Sequence, residues 1–354
     1  MENPVLVIGF NRPQRVRACL NNLQATGARQ VFVHLDGPRI NKVDDLYKTL
    51  EVEKVVNSFS DKFETLVINK QERNLGCRNG VINAITWFFS KNSQGLIIED
   101  DILISKNFAE FSEVALNHYK FSTRIWHING WSPNNKSVIC NSAFETRFAI
   151  PWGWATWADR WNAVVEELDC ATQVPPSRMK TNLNQELPEN FDDYWSRNFD
   201  LADKRVVQGW DYQWIRAMWL GGGLAISPPF RMTTNVGFDS SATHTFRPNR
   251  NQIPTYIVKG KWDLDGPKFA GTSDLLFGEL TFGKDLVGSV LVSNFKRRYA
   301  ANCENSEKGK IQIFLQTLSF REIVFQYFSL QGIKCTFLVI FHILKKTTMF
   351  RQQS

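Results

Sequence analysis

Three adjacent acidic residues, Glu99, Asp100 and Asp101, are the part of this chain with the clearest capacity for chemistry. They directly follow residues 95–98 (GLII), an uncharged run that is typical of a buried strand. In an open α/β sheet the carboxyl ends of the strands face the ligand crevice, and neighbouring carboxylates there repel one another unless a cation relieves them. Because Mg²⁺ and Mn²⁺ prefer carboxylate oxygens, the triplet predicts a divalent metal site. The alternative is an acidic helix start, capped by Asp101 or Ser105.

The first hundred residues predict the elements that would hold this triplet. Short apolar runs alternate with longer helical segments, which is typical of an α/β fold with a mostly parallel sheet and right-handed crossovers. No GxGxxG follows the first apolar run, so a dinucleotide-binding site is disfavoured. The predicted strands cover residues 4–10, 31–35, 65–68 and 95–98, and the predicted helices cover residues 14–23, 46–59 and 77–89.

The second half of the chain is unusually rich in tryptophan. Ten of the 12 Trp residues lie between Trp126 and Trp219, and this density points to one aromatic region. Trp152 and Trp154 flank Gly153, an arrangement that suits the lining of a pocket for a ringed ligand. The alternative is core packing, because a buried indole removes a large apolar area from water.

Charge and cysteine content narrow the function classes. The net charge of +7 favours anionic partners such as nucleotide phosphates or anionic lipid. Nucleic acid is disfavoured because no dense Lys/Arg stripe is present. The 6 Cys are scattered without a CxxC pair, so neither a zinc site nor a disulfide framework is indicated. With no signal peptide and no apolar run of roughly 18 residues, we expect a cytoplasmic protein.

Several segments, taken in order, resemble one enzyme family. The chain is similar to the inverting GT-A glycosyltransferases related to N-acetylglucosaminyltransferase I, over roughly residues 4 to 246. The clearest part of the match is residues 97–102 (IIEDDI), which contain the acidic triplet. The other matching segments are residues 5–12, 34–37, 153–157, 209–211 and 233–237, followed by His244.

This resemblance implies a GT-A-type, mostly parallel central sheet flanked by helices, with a smaller mixed portion on the acceptor side and a helical C-terminal tail. The implied transferase domain is 1–258, with a nucleotide-binding half (1–107) and an acceptor half (108–258). An extension (259–354) follows. Within it, residues 334–346 form a basic amphipathic segment that suits either a membrane surface or docking on the protein.

The resemblance also implies roles for the donor site. Arg12 and Asp36 would hold the base, which is uracil if Asp36 accepts from a base N–H. Asp101 would bind Mn²⁺ or Mg²⁺, whereas Glu99 and Asp100 would contact the ribose and sugar. From the residues alone, Arg12 is also compatible with a surface position at a helix start, and Asp36 with a turn before a glycine.

On the same basis, Trp154 and His244 would contribute to nucleotide-sugar binding and Asp211 would be the general base. An inverting transfer needs one base to take the acceptor proton, and the aromatic neighbours of Asp211 would raise its basicity. The alternative role of Asp211 is in the first turn of a helix. Asp192 and Asp193 are rival bases.

From these residues and the resemblance we expect a metal-dependent inverting glycosyltransferase. It would move a sugar from a UDP-sugar to a hydroxyl of a glycan or lipid-linked acceptor. UDP-GlcNAc is one candidate donor. Peripheral attachment to the inner face of a membrane is part of this expectation. The alternative is a membrane-associated or degenerate nucleotide-sugar-binding protein without turnover. A sugar-1-phosphate nucleotidyltransferase is disfavoured, because residues 9–13 (GFNRP) do not form a Gly-rich basic phosphate loop.

Overall fold

The computed structural model describes residues 1–132, 143–168, 174–179, 191–206, 209–237 and 262–264, all within a compact unit, Met1–Gly288. The strands are β1 (Val5–Gly9), β2 (Gln30–Leu35), β3 (Thr65–Lys70), β4 (Gln94–Glu99), β5 (Ile102–Ile104), β6 (Ile125–Asn129), β7 (Phe144–Thr146), β8 (Trp154–Trp157), β9 (Leu224–Ser227) and β10 (Thr233–Asn235). The α-helices are α1 (Pro13–Thr26), α2 (Val43–Asn57), α3 (Gly76–Phe89), α4 (Lys106–His118), α5 (Ala158–Asn162), α6 (Phe191–Asp203) and α7 (Asp211–Leu220).

The main sheet has eight strands in the order β3-β2-β1-β4-β8-β6-β9-β7. Six of them run in the same direction, and only β8 and β7 are antiparallel to their neighbours. A separate two-stranded antiparallel sheet pairs β5 with β10. The prediction of an α/β fold with a mostly parallel sheet flanked by helices is therefore confirmed.

The core strands form because their residues are apolar on both faces. Val5, Leu6 and Val7 of β1 are fully buried, as are Leu96 and Ile98 of β4. Continuous burial of this kind is expected for parallel strands that are covered by helices on both sides. The four predicted strands fall where the structure has β1 to β4.

Helix boundaries follow local signals. Pro13 begins α1, and Gly27 ends it with a left-handed φ of 77° that glycine adopts without strain. Helix α4 begins at Lys106 and is capped by Ser105, whose hydroxyl accepts from the backbone N–H of Phe108 at 3.2 Å. Strand β5 lies between the acidic triplet and α4, so the triplet is not the start of that helix.

Most of the tryptophans pack the interior. The fully buried Trp side chains lie on β8 and on helices α5, α6 and α7: Trp154, Trp157, Trp161, Trp195, Trp214 and Trp219. Their large apolar area stabilises the half of the sheet around β8 and β6. Across the described ranges, no helix is both long and apolar enough to cross a membrane. The predicted C-terminal tail and residues 334–346 lie outside those ranges, and the domain boundary at residue 258 stays a prediction.

Candidate functional site

The carboxyl ends of the parallel strands gather the predicted site residues at one edge of the sheet. Ile8 of β1 pairs with Glu99 of β4, and Gly9 pairs with Leu35 of β2. The three loops that leave these strands therefore start side by side. They carry Arg12, Asp36 and the acidic triplet.

Arg12 contacts two of the three acidic side chains of the triplet, Asp100 and Asp101. Its Nε donates to Oδ2 of Asp100 at 3.2 Å, its Nη2 donates to Oδ1 of the same carboxylate, and its Nη1 donates to Oδ2 of Asp101 at 3.1 Å. Asp100 is only 1% exposed, and burial raises its pKa to about 7 while the Arg12 charge opposes that rise. A two-point contact with a guanidinium is the geometry that best compensates a buried carboxylate. Part of the charge relief expected from a metal is thus supplied by Arg12.

Glu99 is influenced by a carboxylate from a distant part of the sequence. Burial raises its pKa to about 8, and the negative charges of Asp101, Asp100 and Asp211 add to that rise. Asp211 is the first residue of α7, so a carboxylate from the second half of the chain comes close enough to act on Glu99. The charge of the predicted base thus acts on one of the predicted donor contacts, Glu99.

Asp36, the residue after β2, ties the loop there to the start of α3. Its Oδ1 accepts from the backbone N–H of Leu75 at 2.8 Å and of Gly37 at 2.9 Å, and its Oδ2 accepts from Nδ2 of Asn74 at 2.8 Å. Burial raises its pKa, and the N–H groups of Leu75, Gly37 and Gly76 oppose this rise. These contacts give Asp36 a structural task at the start of α3; its contact with a base stays a prediction.

The segment 233–237 lies against Asp101. Strand β10 pairs with β5, and the N–H of Val236 then donates to the Asp101 carbonyl at 2.8 Å. A Cβ on Gly237 would lie 2.3 Å from Oδ2 of Asp101, so a larger residue here would require the Asp101 carboxylate to move. The guanidinium of Arg15 also donates to the carbonyl of Val236. This segment therefore holds the Asp101 backbone and lies close to the Asp101 carboxylate.

The donor atoms fit a divalent cation only with help from a bound ligand. Within the described ranges, no three His, Cys, Asp or Glu side chains cluster as a metal site. Both oxygens of Asp100 contact Arg12, whereas Asp101 engages Arg12 through Oδ2 alone. Oδ1 of Asp101 is thus the carboxylate oxygen best suited to a hard cation, and diphosphate oxygens and water would have to supply the other ligands.

The two tryptophans singled out beside Gly153 differ in position. Trp154 has no exposed surface, and its ring stacks on His127 (centroids 4.6 Å apart) and on Trp210 (5.6 Å). Trp152 is half-buried and meets Trp131 edge to face at 5.2 Å. In this conformation the Trp154 ring supports the start of α7 instead of lining an open pocket, and Trp152 is the more accessible of the two.

The remaining predicted residues are located as follows. Asp192 and Asp193 lie in the first turn of α6, a different helix from Asp211. His244 lies outside the described residues. The site assignments as a set stay predictions.

The structure adds two residues that the sequence reasoning missed. Cys77 lies exposed in the first turn of α3, and partial desolvation of its thiol together with the charges of Glu99 and Asp211 raises its pKa. His127 on β6 accepts from the indole N–H of Trp214 on α7. Neither residue belongs to a motif, because a lone Cys and a His inside an apolar strand carry no spacing signal.

The comparisons with known proteins give weak structural matches. No family model matches the chain, and no curated protein matches it. Among solved structures, the chain is similar to HddC from Yersinia pseudotuberculosis, with 11% identity, a TM-score of 0.28, and coverage of 47% of this chain and 79% of that one.

Two further matches are of the same strength. One is the mannosyltransferase PcManGT from Pyrobaculum calidifontis in complex with GDP-Man and Mn²⁺, with 10% identity, a TM-score of 0.30, and coverage of 55% of this chain and 50% of that chain. The other is a putative glucose-1-phosphate thymidylyltransferase from Bacillus anthracis, with 8% identity, a TM-score of 0.28, and coverage of 48% and 75% respectively. At this level of similarity they assign neither a family nor an activity to the chain.

Proposed function

We propose that the chain is a metal-dependent inverting glycosyltransferase of the GT-A type. It moves a sugar from a UDP-sugar to a hydroxyl of a glycan or lipid-linked acceptor. One observation carries the proposal: Glu99, Asp100 and Asp101 lie at the carboxyl end of β4, where Arg12 from the loop after β1 contacts Asp100 and Asp101, and the charge of Asp211 at the start of α7 acts on Glu99. The proposed reaction needs carboxylates for two tasks. The triplet would bind the donor, and Asp211 would act as the base.

The donor side of the proposed site is the edge formed by β1, β2 and β4. Arg12 and Asp36 hold the uracil base there, and Glu99 and Asp100 contact the ribose and the sugar. Asp101 would hold Mn²⁺ or Mg²⁺. When bound, the cation offsets the charge that develops on the leaving nucleoside diphosphate.

The acceptor side is the start of α7. Asp211 takes the proton of the acceptor hydroxyl as its oxygen attacks the anomeric carbon. A new carbon–oxygen bond forms there while the bond from that carbon to the diphosphate oxygen breaks, which inverts the configuration. Trp210 is buried beside Asp211 and stacks on Trp154, so the base is held on a rigid support.

Two measurements on the full chain test this proposal. The first is the shift in melting temperature caused by UDP with and without Mn²⁺, and we expect a shift that depends on the metal. The second is Mn²⁺-dependent hydrolysis across a panel of nucleotide sugars, with UDP-GlcNAc as the first donor. A metal-dependent shift without turnover of any donor would favour a binding protein, and the absence of both signals would overturn the proposal.

A lipid-linked acceptor would lie at a membrane. The basic segment 334–346 suits binding to an anionic membrane surface at the cytoplasmic face. Sedimentation of the full chain with anionic and with neutral vesicles tests this part separately. We expect pelleting with anionic vesicles only, and loss of that pelleting when Lys345 and Lys346 are both replaced by Glu. Equal recovery in the supernatant with both vesicle types would contradict it.

A further inference from the structure

The carboxylate of Asp36 is occupied by groups of the protein itself. Its Oδ1 accepts from the backbone N–H groups of Gly37 and Leu75, and the N–H of Gly76 also acts on the carboxylate. Its Oδ2 accepts from Nδ2 of Asn74 at 2.8 Å. A carboxylate offers about four lone-pair sites to donors, and these four N–H groups match that number. Asp36 therefore has little capacity left for a direct hydrogen bond to a nucleotide base.

Helix α3 covers the same carboxylate. A Cβ on Gly80 would lie 3.3 Å from Oδ2 of Asp36, so the helix backbone packs directly against that oxygen. The Asp36 residue is only 9% exposed. A ligand at this edge of the sheet is therefore expected to contact the groups that are bonded to Asp36, and not the carboxylate itself.

The side-chain amide of Asn74 is held in one orientation. Its Nδ2 donates to Oδ2 of Asp36 at 2.8 Å and to the carbonyl of Gly37 at 3.1 Å. The two ends of an amide are distinguished by the partners that they face. The opposite orientation would set Oδ1 against two acceptors, so Asp36 and Gly37 together fix the direction of this side chain. The backbone N–H of Asn74 also donates to the Pro38 carbonyl at 3.2 Å.

The oxygen of this amide is left available to a ligand. Within the part of the chain that the structure describes, no donor contacts Oδ1 of Asn74, and this oxygen is not among the buried polar atoms. The Asn74 side chain is half-buried, so it is held firmly but reaches the surface. An oriented acceptor of this kind is suited to take a hydrogen bond from an N–H group of a ligand.

Asn74 lies where the base of a nucleotide would reach. The strand order places β2 and β3 beyond β1, on the side away from β4. Neighbouring strands are about 4.8 Å apart, so the end of β2 lies about 10 Å from the end of β4. A nucleoside diphosphate covers such a span, with its diphosphate near Asp101 and its base near the loops after β2 and β3.

We propose that Oδ1 of Asn74 accepts the N3–H of uracil and thereby selects the base of the donor. Asp36 is a positioning residue, which acts on the base through Asn74. This inference rests on the proposed UDP-sugar function and specifies how the base is recognised. Cytosine has no hydrogen on N3, so two acceptors would face each other. We therefore expect UDP to bind more tightly than CDP by roughly tenfold or more.

Isothermal titration of the full chain with UDP, CDP and N3-methyl-UDP, each with Mn²⁺, is the test. N3-methyl-UDP keeps the ring, ribose and diphosphate but lacks the N3–H. Wild type should bind UDP about tenfold or more tightly than either of the other two. In Asn74→Ala the acceptor is absent, so the three Kd values should agree within about threefold.

Two further variants separate recognition from folding. Asn74→Ser keeps a hydroxyl donor on the side of Asp36 but loses the outward oxygen, so it should also lose discrimination. Asn83→Ala is the matched control, because Asn83 is an exposed asparagine on α3, and it should discriminate as wild type does. Melting curves without ligand should show that all variants are folded.

Asp36→Asn tests the positioning role. Its amide nitrogen would face Nδ2 of Asn74, whereas the Gly37 carbonyl still requires a donor from that same Nδ2. The orientation of the Asn74 amide is then no longer fixed, so the preference for UDP over CDP should fall in a folded protein. An unchanged preference would contradict the role of Asp36 in orienting Asn74.

The outcomes distinguish this inference from the function on which it rests. Equal binding of UDP and N3-methyl-UDP by wild type would overturn the inference. So would a preference for UDP over N3-methyl-UDP that survives in both Asn74 variants, since Asp36 would then contact the base directly. Either result leaves the proposed function standing, whereas wild type that binds no UDP would overturn both.

Discussion

The indole N–H of Trp214 donates a hydrogen bond to Nδ1 of His127 at 3.1 Å. This contact joins α7 to β6 inside the core, where neither side chain is more than 1% exposed. The His127 ring also stacks on Trp154 of β8 at an interplanar angle of 8°. Because Trp154 stacks on Trp210 as well, the start of α7 is held by two strands of the main sheet. This arrangement fixes the position of Asp211, the first residue of α7.

His127→Phe tests the energetic weight of that contact. Phenylalanine keeps an aromatic ring against Trp154 but removes the acceptor, so the Trp214 N–H becomes buried without a partner. We expect the free energy of unfolding to fall by about 1–3 kcal/mol, measured by urea unfolding. His118→Phe is the matched control because His118 is exposed at the end of α4. A loss no larger than that of the control would show that the hydrogen bond contributes little.

The same histidine gives a pH prediction. Burial lowers the pKa of His127 to about 3, below the usual value near 6.5. Between about pH 6.5 and pH 3 the unfolded chain binds a proton on this histidine that the folded chain does not bind. The contribution of His127 to stability is therefore complete above about pH 6.5 and is lost as the pH falls toward 3. The expected slope is up to about 1.4 kcal/mol per pH unit.

The pH effect must be measured as a difference between variants. Glu99 and Asp100 have raised pKa values and act in the opposite direction, since the folded state holds their protons more strongly. The difference in unfolding free energy between wild type and His127→Phe should therefore shrink as pH is lowered from 7 to 5. A difference that stays constant over this range would contradict the neutral buried state of His127.

Arg12→Ala tests the ion pair at the proposed donor site. The substitution leaves the Asp100 carboxylate 1% exposed without its cation. Removing one partner of a buried pair is strongly destabilising, and we expect a loss of about 3 kcal/mol in unfolding free energy. Asp100→Asn in the same background should recover part of that loss, because the unpaired charge disappears. The exposed Arg17→Ala is the control, and an equal small loss in both single variants would exclude a structural role for the pair.

Asp211→Asn tests the proposed base. The amide keeps the shape of the side chain but cannot take the acceptor proton. Transfer should therefore fall by roughly 10²–10⁴-fold, while the UDP-induced melting shift stays close to that of wild type. Asp192→Asn and Asp193→Asn are matched controls on α6 and should retain transfer. Near wild-type turnover of Asp211→Asn, or a comparable loss in one of the controls, would assign the base elsewhere.

Local signals in the sequence were enough to predict the frame of the site. Apolar runs that alternate with helical segments specify strands buried on both faces, and strand direction then follows from the need for crossovers. For this reason Glu99 at the end of β4 and the loop that carries Arg12 after β1 were predicted at the correct edge. The predicted first helix, residues 14–23, falls within α1 but ends three residues before Thr26, where Gly27 ends the helix.

Only the tertiary structure decided how the side chains are paired. The sequence could not show that Arg12 would contact Asp100 and Asp101, that β5 would follow the triplet, or that Trp154 would be fully buried. Nor could it place Asp211 near Glu99, because their proximity depends on how α7 packs against β6 and β8. Periodicity records which face of an element is apolar, whereas the partner of a polar group is set by elements that are distant in sequence and meet only when the chain is folded.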